Sequence, residues 1–395
     1  MKKIIKMINP LKTYDWGSKE SIPAILGQET GTKPIAELWM SAHPSSPSKL
    51  ILDTKSQSLE HWIAEDPINR LGTDAASQFQ GKLPFLLKIL AAAKPLSIQA
   101  HPNEKQALKG FQRENHQNIP LAAAERTYKD PHHKPELICA LTPFEALNGF
   151  RPWNEIHENF SLLQHKGITQ LIKAHENKSP KEAIKGLFID LINQEEHTKT
   201  SWAKYLHDWA NNQKNHPLKD VIISTYHFFP GDIGIFTLFM LNYVVLQPGQ
   251  AMFLNSCRFH AYLKGTGIEI MANSDNVLRA GLTKKHVNIP ELAQIIDFQP
   301  SRPEIQSTAF NSDFTEYHSE AKEFQLLRFD MDGKKNYSTH NGEILLVVKG
   351  QLEILNQSEK LLLNQGESVF LCPRLKNIRF QGRCLFFIAR INPLV

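Results

Sequence analysis

Three short stretches place polar side chains at every second position, the spacing that puts them on one face of an extended chain. In Pro95-Leu96-Ser97-Ile98-Gln99-Ala100-His101-Pro102, the residues Ser97, Gln99 and His101 alternate with Leu96, Ile98 and Ala100. Lys134 and Glu136 share a face in His133-Lys134-Pro135-Glu136. His260 and Tyr262 do so in Phe259-His260-Ala261-Tyr262-Leu263, with apolar residues opposite. Three such strands inside one barrel converge Gln99, His101, Glu136 and His260 on a point. Two imidazoles, one carboxylate and an amide oxygen suit a borderline divalent cation, zinc first. Only one donor is anionic, so a bound dication keeps net positive charge and remains a Lewis acid. Each pair taken alone also reads as polar residues satisfied on a strand, and a chain with 17 histidines yields some such pairs by chance.

The elements around these stretches are mainly β. Up to Arg151-Pro152-Trp153, short apolar runs such as Pro84–Leu90 and Leu137–Leu141 are broken by Gly, Pro and Ser, a strand pattern with a few helices. The texture then becomes helical. Ser179-Pro180-Lys181-Glu182 offers an N-cap, a first-turn proline and a capping-box glutamate, and Ile184, Leu187, Phe188, Leu191 and Ile192 fall on one helical face. Trp202, Tyr205, Leu206 and Trp209 repeat that face in a second helix, as packing core. β character returns at Gly231–Ile235, and Leu246–Leu254 reads as a hairpin about a Pro-Gly turn. Beyond Ser301 only strands are expected: Ile344–Lys349 turning at Gly350 into Gln351–Leu355, then a turn at Asn364–Glu367 into Ser368–Leu371. Pro248-Gly249-Gln250-Ala251 and Gln365-Gly366-Glu367-Ser368 resemble one another, as two related barrels would require.

The expected architecture is therefore mainly β, two cupin-like jelly-roll barrels with an α-helical insertion. Residues 1–153 and 229–300 would form the metal-bearing barrel, 154–228 the insertion, and 301–395 a second barrel without metal. That second barrel holds His340 with no histidine partner at strand spacing.

Composition excludes several classes. At 395 residues, 41% hydrophobic and 22% charged, the chain is a globular protein of more than one domain. A net charge of +5, scattered along the sequence, does not point to nucleic acid. Four separated cysteines (Cys139, Cys257, Cys372, Cys384) without a CxxC pair read as reduced thiols. The basic start Met1–Met7 is followed by no apolar run of signal length. The apolar stretch Ile233–Leu246 is too short for a span and contains Asn242. A monomer in the cytoplasm, without membrane contact, is the expectation.

Longer blocks carry a resemblance. LPFLLKILAAAKPLSIQAHPNEKQ (83–106), YKDPHHKPELICALTPFEALNGFRP (128–152) and HAYLKGTGIEIMANSDNVLRAGLTKKH (260–286) are similar, in order, to the signature blocks of type I phosphomannose isomerases. Smaller matches lie at Tyr14–Ser18 and Ala36–Pro44. The resemblance implies a cupin fold, one zinc ion per chain, and interconversion of mannose 6-phosphate and fructose 6-phosphate. It places the zinc ligands on Gln99, His101, Glu136 and His260 and the active-site arginine on Arg279. The sequence departs from the family where Phe259 replaces a usual proline before the last ligand. It also departs at Asn255–Arg258 just ahead, at Gln250, where an acidic residue is common, and at Lys284, where proline is usual.

Aldose–ketose isomerisation needs ring opening, proton transfer between C1 and C2, and a cation beside the enediolate. Lys134 and Asp275 are the candidates for proton transfer. A lysine near a metal has its pKa lowered, yet Lys134 could equally bind only the substrate anion, and Asp275 could serve only the turn-like Asn273-Ser274-Asp275-Asn276. Arg279, Lys285 and Ser97 are candidates for the phosphate, with Arg279 alternatively beside the enediolate. Tyr262 and Glu269 complete the candidate substrate site, although Glu269 could be only the partner of Arg279 or a lysine. Two rivals remain: a regulatory cupin that binds sugar phosphate without catalysis, and an iron oxygenase. The amide and single carboxylate weigh against the oxygenase.

Overall fold

The computed structural model describes residues 2–53, 55–308, 314–357 and 359–393. Among them the strands form two sheets, one of eleven and one of nine strands, with a block of helices beside the larger. The fold is mainly β with a helical insertion.

His260–Ala272 is the axis of the larger sheet. Its first half pairs with Ile98–Ala100 and Phe144–Phe150, and its second half with Phe85–Ala92 and Glu136–Ala140. The change of partners falls at Gly265, φ +129°, where a Cβ would lie 2.7 Å from the Pro143 carbonyl oxygen. Only glycine fits so close a crossing. Residues alternate between two faces from there on. Leu38, Met40, Leu87, Ile89, Leu137, Cys139, Ile268 and Ile270 pack against Leu326, Ile344, Leu346 and Phe387 of the smaller sheet. On the opposite face Leu90, Ile138, Ala140 and Met252 form an apolar floor, and the polar site lies on this same face.

The smaller sheet is not made from the C-terminal segment alone. Ile4–Ile8 pairs with Ser368–Leu371 and with Lys49–Ile51, so the chain start completes the sheet that its end builds. Two turns in the two sheets match closely. Gly249 (φ +87°) and Gly366 (φ +83°) sit in turns where Gln250 N–H donates to Gln247 O at 2.8 Å and Glu367 N–H to Asn364 O at 3.0 Å. The following side chains reach back identically: Gln250 Oε1 accepts Gln247 N–H at 2.8 Å and Glu367 Oε2 accepts Asn364 N–H at 2.7 Å. The short echo read in the sequence is thus one turn built twice.

Five helices run from Trp153 to Phe228: Trp153–Ser161, Lys166–Lys173, Pro180–Ile192, Glu196–Asn211 and Lys219–Phe228. The capping box at Ser179 and Glu182 is present, and Ile184, Leu187, Phe188, Trp202 and Leu206 are buried as the periodicity requires. They pack on Ile98, Ala100, Phe259, Ala261, Leu278 and Ala280, the apolar backs of the strands whose fronts carry Gln99, His260 and Arg279.

Three local expectations fail. Gly231–Ile235 is not β: Asp232 Oδ1 accepts the Gly234 N–H at 2.7 Å and caps a 3-10 turn, Ile233–Phe236, with strand resuming at Leu241. The Pro-Gly turn exists, but its flanking strands do not pair as a hairpin. Leu241–Leu246 pairs with Phe144–Phe150 and Ala251–Leu254 with Glu136–Ala140, because the sheet bends there and each strand follows a different half. Gly350 marks no turn either. It sits, with φ +82°, next to a register shift at Val347/Lys349 inside the continuous strand Glu343–Asn356, where a bulge does what a turn was expected to do.

Candidate metal centre and active site

Gln99, His260 and Arg279 meet by register. The strand Ile98–Ala100 lies between the other two, so Gln99 stands opposite both His260 and Arg279 and all three project from one face. Glu136 reaches the same point from the strand beyond, opposite Met271. The outcome is a buried cluster of His101, Glu136 and His260 whose ligand atoms all lie within 4.8 Å of one another. Among the described residues it is the one such group of histidine, cysteine or carboxylate side chains.

Each imidazole is oriented by a carbonyl. His101 Nδ1 lies 2.6 Å from Asn276 O, and His260 Nδ1 lies 2.9 Å from Arg258 O. A carbonyl only accepts, so both Nδ1 atoms carry a proton and both Nε2 atoms face the cluster. His101 Nε2 is 3.2 Å from Glu136 Oε1, and His260 Nε2 is 3.4 Å from Glu136 Oε2. The His101 Nε2 and Glu136 Oε2 atoms are buried without a hydrogen-bond partner. Orphaned buried acceptors are costly, and here they aim at a common point. Burial, reinforced by the Lys134 ammonium, pushes the His101 imidazole down to about 4, which keeps it neutral and able to coordinate. Burial opposes ionisation of Glu136, yet the Lys134 ammonium beside it holds it well below the usual carboxylate range. The Gln99 amide lies 3.4 Å from His260 Nε2, and turning it over presents its oxygen to the cluster. Two neutral nitrogens, an ionised carboxylate and an amide oxygen fit a zinc ion.

The other candidates divide into three groups. Lys134 is buried, with Nζ 2.7 Å from Glu136 Oε1, directly beside the cluster. Tyr262 is buried with an unpartnered hydroxyl; burial first and Glu136 second raise its pKa, so it stays a neutral donor. Arg279 makes no hydrogen bond or ion pair through its guanidinium among the described residues, and burial alone lowers its pKa. Lys285 is lowered by burial and then by Arg279, which places the two cations near each other. Asp275 faces outward, its Oδ2 3.4 Å from His43 Nε2, and that contact is the main cause of its lowered pKa. Ser97 precedes the strand, which begins at Ile98, so alternation does not fix its direction; it is half-buried.

Glu269 is held elsewhere: its Oε2 pairs with Lys88 Nζ at 2.8 Å, and the same ammonium reaches Glu37 Oε1 at 3.3 Å. Glu37 in turn accepts the Trp39 indole N–H at 2.8 Å. Sequence reasoning missed Lys88, Glu37, Trp39 and His43. A signal was present in Phe85-Leu86-Leu87-Lys88-Ile89-Leu90, because a lysine inside a fully buried strand must have a carboxylate partner.

The altered loop before His260 is firmly held. The Cys257 N–H donates to His101 O at 2.7 Å, so the backbone of one cluster histidine secures the loop that leads to the other. Phe259, in place of the usual proline, is fully buried, with ring centroids 5.6 Å from Phe150 and 5.3 Å from Phe188. Phe259→Ala is expected to cost about 3–5 kcal/mol of stability, read as a lowered unfolding temperature in the zinc-loaded protein.

Comparison with known proteins agrees along the whole chain. Residues 4–153 match the family described as phosphomannose isomerase type I, catalytic domain, and residues 162–241 match its helical insertion domain. Mannose-6-phosphate isomerase of Escherichia coli (strain K12) is 39% identical over 383 residues, 95% of this chain and 97% of its own. That of Homo sapiens is 33% identical over 374 residues, 86% of each. Among solved structures, a variant of phosphomannose isomerase from Salmonella typhimurium superposes with a TM-score of 0.92 at 35% identity, covering 99% of this chain and 100% of that one. A zinc-bound mannose 6-phosphate isomerase gives 0.91 at 35%, with the same coverage. Matches of this length and level, over both the catalytic part and the insertion, make the chain a member of the type I phosphomannose isomerase family.

Proposed function

We propose that the protein is a zinc-dependent aldose–ketose isomerase that interconverts mannose 6-phosphate and fructose 6-phosphate through an enediolate. The observation that carries this is the buried His101–Glu136–His260 cluster with its unpartnered acceptors, in a chain of this family. Gln99 is the proposed fourth ligand. Zinc, when bound, supplies positive charge beside the sugar O1 and O2. Lys134, at the edge of the cluster, is the proposed carrier of the proton between C1 and C2. Asp275, on the open side with His43, is the proposed partner in ring opening. Arg279 and Lys285 form a pair of cations suited to a dianionic phosphate or, for Arg279, to the enediolate. Ser97 and the neutral Tyr262 offer hydroxyl donors to the sugar, and Glu269 acts through Lys88 in the wall of the site.

The division into two cupin-like barrels belongs to the same proposal: residues 1–153 and 229–300 for the first, 154–228 for the insertion and 301–395 for the second. The twice-built turn at Gly249 and Gly366 supports it, with strands Ile4–Ile8 and Lys49–Ile51 contributed to the second sheet. A monomer in the cytoplasm, acting on a small sugar phosphate without nucleic acid or membrane, completes the reading; no helix among the described residues is long and apolar enough to cross a membrane.

Purified protein is expected to convert mannose 6-phosphate in an assay coupled to fructose 6-phosphate consumption, to lose that activity on chelation and to regain it with zinc. Protein that holds zinc and binds the phosphosugar without turnover would instead be the regulatory cupin.

A further inference from the structure

The run Asn273-Ser274-Asp275-Asn276 reads in sequence as a turn, and its last residue has no part in the chemistry above. In the fold Asn276 is fully buried and its amide is saturated. Its Oδ1 accepts the N–H groups of Lys129 at 2.7 Å and Asp130 at 3.4 Å. Its Nδ2 donates to the carbonyls of Asp130 and His132, each at 2.8 Å, and to Asp130 Oδ1 at 3.3 Å. Asp130 returns the hold, accepting the Ser274 hydroxyl at 2.9 Å and the Asp275 N–H at 2.8 Å. The Asn276 carbonyl is also the atom that accepts His101 Nδ1–H at 2.6 Å.

Three parts of the site therefore meet at one residue: the ring of His101, the segment 129–132 that leads into Lys134 and Glu136, and the entry to the strand Leu278–Gly281 that bears Arg279. A carbonyl fixes a ring only as firmly as its own peptide is fixed, and here that peptide is locked by its own side chain. We infer that Asn276 is a positioning residue of the metal centre, a brace that sets the direction of His101 Nε2 relative to Glu136. The inference rests on reading His101, Glu136 and His260 as metal ligands. An orienting partner of a ligating histidine is commonly worth 10–100-fold in metal affinity.

The test compares wild type, Asn276→Ala, Asn276→Ser and Asn276→Asp as zinc-loaded proteins. Asn276→Asp keeps the shape and the acceptor, loses both donors, and sets a second carboxylate beside Asp130. Zinc release to excess chromogenic chelator is timed, and the visible absorption is recorded after cobalt(II) replaces zinc. Ile184→Ala, in the insertion core, controls for general loss of stability. The folded Asn276 variants are expected to release zinc roughly 10–100-fold faster and to show a shifted cobalt spectrum. Ile184→Ala should lower the unfolding temperature and leave both readouts as in wild type. Wild-type release and spectrum in the folded Asn276 variants would overturn the brace. Wild-type protein that takes up neither zinc nor cobalt would overturn the ligand assignment, and the brace with it.

Discussion

His101→Ala and His260→Ala proteins are expected to leave purification almost free of zinc, with isomerisation at background. Each substitution removes one of two neutral nitrogens from a set with a single anionic donor, so what remains is one imidazole, one amide and Glu136. The remaining carboxylate does not wait for a metal, because Lys134 already lies 2.7 Å from it and can take up the freed charge. Loss of an orienting partner alone weakens such sites by about 10–100-fold, and loss of a ligand exceeds that. The fold should survive, since each ring is tied to a carbonyl and not to a network that spans the sheets. Elemental analysis beside an unfolding scan checks this. Full zinc content in either variant would falsify the ligand set. Gln99→Ala should lose less, as it removes a neutral amide.

How much of this was legible in the sequence depended on whether a residue acts along its own strand or across strands. Alternation at Gln99/His101, Lys134/Glu136 and His260/Tyr262 is local, and each pair proved to face the cluster or lie beside it. The helix at Pro180–Ile192 was equally legible, because cap, proline and apolar face all lie within one element. Cross-strand facts were not. The Lys88–Glu269 pair joins residues far apart in sequence, and nothing near Lys88 names its partner. The failed hairpin at Gln247–Gln250 has the same cause: turn chemistry fixes the bend, while the choice of partner strand is made by the curvature of the whole sheet. Asp232 shows a third limit, where one side-chain cap converts an apolar run from strand to 3-10 turn. Asn276 drew no reading of its own in the sequence, because its five side-chain hydrogen bonds all reach back to the distant segment 129–132.

Arg279→Ala is expected to keep its zinc and lose two to three powers of ten in rate, roughly 3–4 kcal/mol of transition-state stabilisation. The guanidinium is half-buried, on the same face as Gln99 and His260 by register, and makes no ion pair among the described residues. A cation drawn even partly out of water normally has a carboxylate partner. One left without a partner, within electrostatic reach of Lys285 and paired by register with Gln99, is available to charge that the substrate brings or develops. Because Arg279 is not a ligand and its removal creates no unpaired carboxylate, metal content should be unchanged, which separates this variant from those at His101 and His260. Arg279→Lys should rescue poorly, since an ammonium cannot reproduce the planar fork. The split between KM and kcat then assigns the job. A raised KM with kcat held means that the arginine binds the phosphate, whereas equal losses in kcat and kcat/KM mean that it acts on charge formed only in the transition state. Full activity in Arg279→Ala would remove the arginine from the mechanism while leaving the metal centre intact.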